Sequence, residues 1–159
     1  KTGELYGVDN GRDNLGDDVP DDEVNLIVSG GHYGWPFVHG ANVADPELHG
    51  EMPEGLAPRP QAHGLGGHVA PLSIIFLRGE KDVALVAEHG SWNRSAKAGY
   101  RIVKLTFTAA GIAEEVFLDG CEVDEEVICR PVDILEAADG TIFISDDYAG
   151  AIYRIGLPR

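Results

Sequence analysis

No apolar run in this 159-residue chain is long enough to cross a membrane; bursts such as Leu72–Leu77 fall far short of a span. Basic residues are scarce, 12 Lys and Arg against 27 acids, for a formal charge of −15. That imbalance repels a phosphate backbone or an anionic lipid surface, so neither nucleic acid nor membrane is an expected partner, and cations are the natural counterpart. Cysteine is nearly absent. The pair Cys121 and Cys129, in CEVDEEVIC, lacks CxxC or Cys/His zinc spacing. It suits a disulfide closing a short loop in an oxidising compartment, with two unpaired thiols as the other reading. No stretch holds a 3.6-residue apolar period, which predicts few and short helices. No signal peptide is visible, and the opening at Lys1 instead of a methionine is read as a cut or processed piece.

What is present is β-sheet vocabulary: 21 glycines, 9 prolines and 43% hydrophobic residues in short bursts, enough to bury a core. One unit recurs. The stretches Glu4–Asp9, Val83–Glu88 and Thr141–Asp146 each read as a short strand ending in a carboxylate. After a polar or glycine-rich loop another strand follows, at Val24–Val28, Arg101–Phe107 and Ala151–Leu157. The second and third units are also preceded by one, at Pro71–Leu77 and Pro131–Glu136, joined by turns at Arg78-Gly79-Glu80 and Asp139-Gly140. Strand, tight turn, strand, loop, strand is the pattern of a propeller blade. Lys1-Thr2-Gly3 reads as the turn between two strands, so the chain is expected to begin inside a blade. Blade segments are placed at about 1–40, 68–120 and 130–159, with an insertion loop at 41–67. Three blades cannot close a ring that needs roughly four to eight.

Four segments carry candidate chemistry. The loop from Asp9 to Glu23 is rich in Asp, Asn and Gly, the oxygen donors and sharp turns a hard cation needs; a solvated acidic surface, or the first turn of a short helix at Pro20-Asp21-Asp22-Glu23, are the other readings. Gly30-Gly31-His32-Tyr33-Gly34-Trp35-Pro36 is a pocket lining or a packed corner. Glu88-His89-Gly90-Ser91-Trp92-Asn93-Arg94-Ser95 crowds imidazole, indole, amide and guanidinium into one loop, suited to a planar anion or to structure alone. Its Ser and His do not indicate a hydrolase, because no nucleophile elbow or partner acid accompanies them. Arg130, opening Arg130-Pro131-Val132-Asp133, is a second anion clamp or one half of an ion pair.

At DNGRDNLGDDVPDDEVNLIVSGGHYGWP, HVAPLSIIF, AEHGSWNRS and RPVDILEAADGTIFISDDYAGAIYRI the chain resembles the glucose/sorbosone dehydrogenase family, the soluble sugar dehydrogenases that use pyrroloquinoline quinone (PQQ). The resemblance covers nearly the whole chain and is weakest across 41–67. It implies an all-β fold, a six-bladed β-propeller of which about three C-terminal blades are present. It implies PQQ over the channel mouth and a calcium ion held partly by the backbone carbonyls of Gly11 and Arg12. A second, structural calcium would use Asp22 and Glu23 with the Tyr33 carbonyl. Arg130 and Arg94 map onto the residues that grip the cofactor, and His68 onto the pocket lining. The partners implied are a small-molecule sugar, the remaining N-terminal blades and an external cytochrome or quinone acceptor, in a periplasmic or secreted protein.

The family's base histidine and its Arg-Asn-x-Gln motif have no counterpart here, and both are expected upstream. No histidine of this chain is assigned the base role, so the piece alone is expected to be inactive. Two further readings remain: a calcium-stiffened propeller that binds without redox chemistry, and a calcium-dependent lactonase-type propeller with Asp9, Glu88 and Asp146 around its axis.

Overall fold

The computed structural model describes residues 3–48 and 50–156. Fourteen strands and no helix occur among them. In chain order they are β1 (Leu5–Asp9), β2 (Asp21–Ile27), β3 (Val38–His39), β4 (Val43–Ala44), β5 (His63–Gly67), β6 (Pro71–Phe76), β7 (Val83–Glu88), β8 (Arg101–Thr108), β9 (Gly111–Leu118), β10 (Glu122–Val123), β11 (Glu126–Val127), β12 (Pro131–Glu136), β13 (Ile142–Asp146) and β14 (Ala151–Ile155). They form three antiparallel sheets, β1-β2-β5, β6-β7-β8-β9 and β12-β13-β14, and two small ladders, β3-β4 and β10-β11.

The repeated unit is therefore real at the level of pairing. Strands β1, β7 and β13 each end in the expected carboxylate, and each pairs with the next long strand: Asp9 faces Glu23, Glu88 faces Arg101 and Asp146 faces Ala151. Lys1 and Thr2 of the expected opening turn, and Leu157 of the expected last strand, lie outside the described residues.

Period-two alternation builds the core. Every residue of β7 is buried, because this strand sits between two neighbouring sheets. Val83, Leu85 and Ala87 point to one side and pack with Ile102, Ile134, Ile142 and Ile144 against the third sheet. Ala84 and Val86 point to the other and pack with Val24, Leu65, Val103 and Leu105 against the first. Each fully buried large side chain, such as Leu85 or Ile102, contributes about 1.5–3 kcal/mol. Tyr6, Phe76 and Phe107 extend the first interface, with ring centroids 4.8 to 5.7 Å apart.

Three local differences from the sequence reading have physical reasons. Residues 63–67, at the end of the expected insertion, form β5 and complete the first sheet. Its sequence, HGLGG, lacks the β-branched signature of a strand, and the glycines are there for contact: a Cβ on Gly67 would lie 2.7 Å from the Asp17 carbonyl. Strand β9 is a fourth, outer strand; its exposed, acid-rich pattern hides it from a hydrophobicity reading. Pro20-Asp21-Asp22-Glu23 runs into β2 and is not a helical turn. Cys121 and Cys129 form a disulfide that closes the β10-β11 ladder.

Candidate functional site

The loops that follow β1, β5, β7 and β13 meet at one end of the sheets, because in each case the chain leaves a strand at that end. There the side chains tie loop to loop. Asp22, on β2, is fully buried and accepts N–H bonds from Gly11 (2.8 Å, to Oδ1) and Ala70 (2.6 Å, to Oδ2). His68 is 3% exposed; its Nε2 lies 2.8 Å from the Gly16 carbonyl and 3.1 Å from that of Val19, so this nitrogen carries the proton. Arg94 donates from Nη1 to the Asp17 and Gly67 carbonyls, from Nη2 to Asp18 and from Nε to the Ala96 carbonyl. Asn93 donates to Asp13. Arg130 donates from Nε to the His89 carbonyl and from Nη2 to that of Gly90, and its guanidinium lies 5.6 Å from the Tyr100 ring centroid. His89 Nε2 is 3.0 Å from Asp147.

Two cavities open at this end and share Asn10 and Gly11. One, of about 280 Å³, is lined by Asn10, Gly11, Asp13, His68, Trp92 and Asn93 among others; Trp92 is 72% exposed. The second, of about 380 Å³, lies between the first sheet and the 33–45 segment and includes Asp9, Gly11, Arg12, Glu23, Tyr33 and Asp45. The expected residues Gly11, Arg12, Glu23 and Tyr33 thus come together; Asp22 does not line either cavity. The Arg12 side chain turns to Asp45 (3.1 Å) and Glu47 (2.5 Å), which leaves only its backbone for a cation. Tyr33 donates its hydroxyl to the Leu26 carbonyl.

Burial dominates the electrostatics here. It pushes the Asp22 carboxyl up to about 6, against the pull of the Ala70 and Gly11 N–H groups. It also raises Glu23, opposed by bonds from Asn25 and Gly40 and reinforced by Asp9, and it raises Asp9 itself. One feature escaped the sequence reading. Asn25 is 3% exposed and donates to Glu23 (3.0 Å), yet its Oδ1 has no partner among the described residues. Alternation along β2 places residues 23 and 25 on one face, which is the signal that was available.

A calcium ion takes about six to eight oxygens. The Gly11–Arg12 backbone, with Asp9 and Glu23 in the same cavity and the orphaned Asn25 oxygen beside Glu23, fits such an ion. Both Asp22 and Glu23 have N–H donors on each carboxylate oxygen, but Glu23 lines the cavity and Asp22 opens to neither one, so Asp22 does not fit. For the anionic PQQ, Arg130 retains Nη1 as a donor edge, whereas Arg94 has given all three nitrogens to its own loops. Among the described residues no three His, Cys, Asp or Glu side chains gather as a metal cluster, so Asp9, Glu88 and Asp146 do not form the ring a lactonase-type metal requires.

Residues 59–157 match the family described as TrAA12-like. An uncharacterized protein of Borreliella burgdorferi is 39% identical over 163 residues, covering 96% of this chain and 43% of that protein. The chain therefore spans less than half the length of this curated relative. Among solved structures, the PQQ domain of pyranose dehydrogenase from Coprinopsis cinerea, in holo form, superposes with a TM-score of 0.71 at 19% identity, over 96% of this chain and 50% of that one. A calcium structure of the Trichoderma reesei carbohydrate-active enzyme family AA12 gives 0.72 at 22% identity, over 96% and 48%. The soluble aldose sugar dehydrogenase of Escherichia coli, in apo form, gives 0.61 at 15%, over 95% and 40%. At these identities the likeness is one of fold: all-β, of the propeller-type sugar dehydrogenase domains.

Proposed function

The chain belongs to the TrAA12-like family, and from that premise we propose that it is the C-terminal part of a PQQ- and calcium-dependent dehydrogenase of aldose- or sorbosone-type sugars. The observation that carries this reading is the cross-tied loop end, where the 10–12 backbone and Trp92 border two adjoining cavities and Arg130 holds the carbonyl of Gly90, a residue that lines one of them. The quinone, when bound, supplies the acceptor for the hydride leaving sugar C1. This chain's own residues position and exclude. The Gly11 and Arg12 carbonyls would hold the cation, Arg130 Nη1 would meet a cofactor carboxylate and Trp92 would offer a flat apolar surface, while His68, Asp22 and Arg94 tie the loops together.

The base is assigned to the remaining N-terminal blades. Those blades would also complete a six-bladed ring by covering the exposed apolar residues at the two ends of the arc, Leu5 and Ile27 on the first sheet, Leu135 and Ile152 on the third. An external cytochrome or quinone would take the electrons. The disulfide suits a periplasmic or secreted setting.

The test is to supply PQQ and calcium to the full-length protein and follow dye reduction with a panel of aldoses. Sugar-dependent reduction is expected. Absence of turnover together with an unchanged quinone absorption spectrum would refute the reading.

A further inference from the structure

We infer that Asp22 is a positioning residue that holds the cation loop in its binding shape, and not a calcium ligand; this rests on the assignment of loop 10–12 to the cation. Two chain segments, 11 and 48 residues away in sequence, hang on its one carboxylate through the Gly11 and Ala70 N–H groups. In a trans peptide the N–H and the preceding carbonyl point in opposite directions. Anchoring the Gly11 N–H inward therefore turns the Asn10 carbonyl outward, at the point where both cavities meet.

Gly11 reaches this position only because it has no side chain. A Cβ there would lie 2.8 Å from Pro20 Cγ, 3.0 Å from the Asp21 carbonyl and 3.3 Å from Asp22 Oδ1. The second anchor carries the same order across the interface between the first two sheets. Ala70, tied to Asp22, accepts the His89 N–H at 2.9 Å through its own carbonyl, and the adjacent Val69 carbonyl accepts that of Gly90 at 2.8 Å. The carbonyls of His89 and Gly90 are in turn the ones Arg130 grips. One buried carboxylate thus sets the loop after β1 and, through residues 69–70, the loop after β7. A cation on Asp22 would have to take oxygens that already hold these two bonds, from a site that opens to neither cavity.

The test compares amide hydrogen exchange at Gly11 and Ala70 in the chelator-treated protein and in Asp22→Asn, with β7 amides as the control for the fold. Calorimetric titration with calcium alone accompanies it. In the wild type both amides are expected to be protected without calcium. In Asp22→Asn, which keeps the shape but sets an NH2 group against one N–H donor, at least one of them is expected to exchange about tenfold faster or more, the scale of a charge-assisted bond. The β7 amides stay unchanged and the number of calcium ions bound is retained. Should the variant fail to fold, protection of Gly11 and Ala70 in the chelated wild type still decides the point. The inference is overturned if those amides become protected only when calcium is added, or if Asp22→Asn loses a bound ion. If the wild type binds no calcium, the functional reading fails on its own while the exchange data still report on Asp22.

Discussion

Arg101 Nε lies 2.7 Å from the Glu88 carboxylate, and the acid of this pair is fully buried while the base is 29% exposed. Glu88 stands on the β7 face that packs against the first sheet, the face of Ala84 and Val86. Its second oxygen, Oε1, has no partner among the described residues. A chain of charge continues outward, from Arg101 to Glu114 (3.6 Å) and from Glu114 to His63 (2.9 Å), and so links the second sheet to β5 of the first.

Burial pushes the Glu88 carboxyl up to about 7, and Arg101 only partly reverses it; Glu114 and Asp22 add to the rise. The unfolded carboxyl titrates near 4.5. A raised folded value means that stability is fully present below the unfolded value and is lost as pH climbs toward 7. The loss is on the order of 3 kcal/mol at most. Urea midpoints of wild type and Glu88→Gln at pH 5 and pH 7.5 test this: the wild type should lose more between the two pH values. Parallel behaviour of the two proteins would contradict it.

Gly90 has φ +102°, and a Cβ there would collide with the Tyr100 ring. Tyr100 in turn donates its hydroxyl to the Ser91 carbonyl and lies under Arg130. Gly90→Ala is expected to displace the ring and cost about 1–3 kcal/mol from overpacking, with left-handed strain added. Denaturant unfolding measures the loss, and a shift in near-ultraviolet dichroism reports the ring. A variant with unchanged stability and spectrum would show that the loop has slack the structure does not.

The Cys121–Cys129 bridge lies in the β10-β11 segment, outside the interface of Leu85, Ile134 and Ile144. Closing so short a loop is worth about 2–3 kcal/mol by chain entropy. Replacing both cysteines by serine should therefore lower the melting temperature by several degrees and raise amide exchange across 120–129, leaving β7 and β8 protected. Exchange rising equally in β7 would mean that the ladder supports the core.

The outer face of the third sheet exposes Leu135 at 61% and Ile152 at 74%. Apolar side chains next to an unpaired edge strand favour association. The isolated chain is expected to self-associate in sedimentation, and Leu135→Lys with Ile152→Lys to reduce this. A monomeric wild type would argue against an open arc.

Legibility followed the physics of each segment. The strands at 83–88 and 131–136 stand where hydrophobic bursts and turn residues place them, since burial on a pleated sheet imprints itself on local sequence. Strands β5 and β9 were not legible. One is glycine-rich so that it can approach Asp17, and the other lies outermost and solvated, so neither carries the apolar pattern. The Asp-rich loop was readable as acidic and turn-rich, but Asp22 and Glu23, adjacent in sequence, point to opposite faces of β2, one away from both cavities and the other into one of them.

The amino-acid sequence by itself determined the repeated β unit, its terminal acids and the loops that hold the chemistry, because alternation and turn preference are local. Only the tertiary structure decided what each charged group does. Whether a carboxylate or guanidinium meets a cation, an anion or a backbone group depends on partners dozens of residues away. Asp22 meets Ala70 in this way, 48 residues on, and Arg130 meets Gly90, 40 residues back.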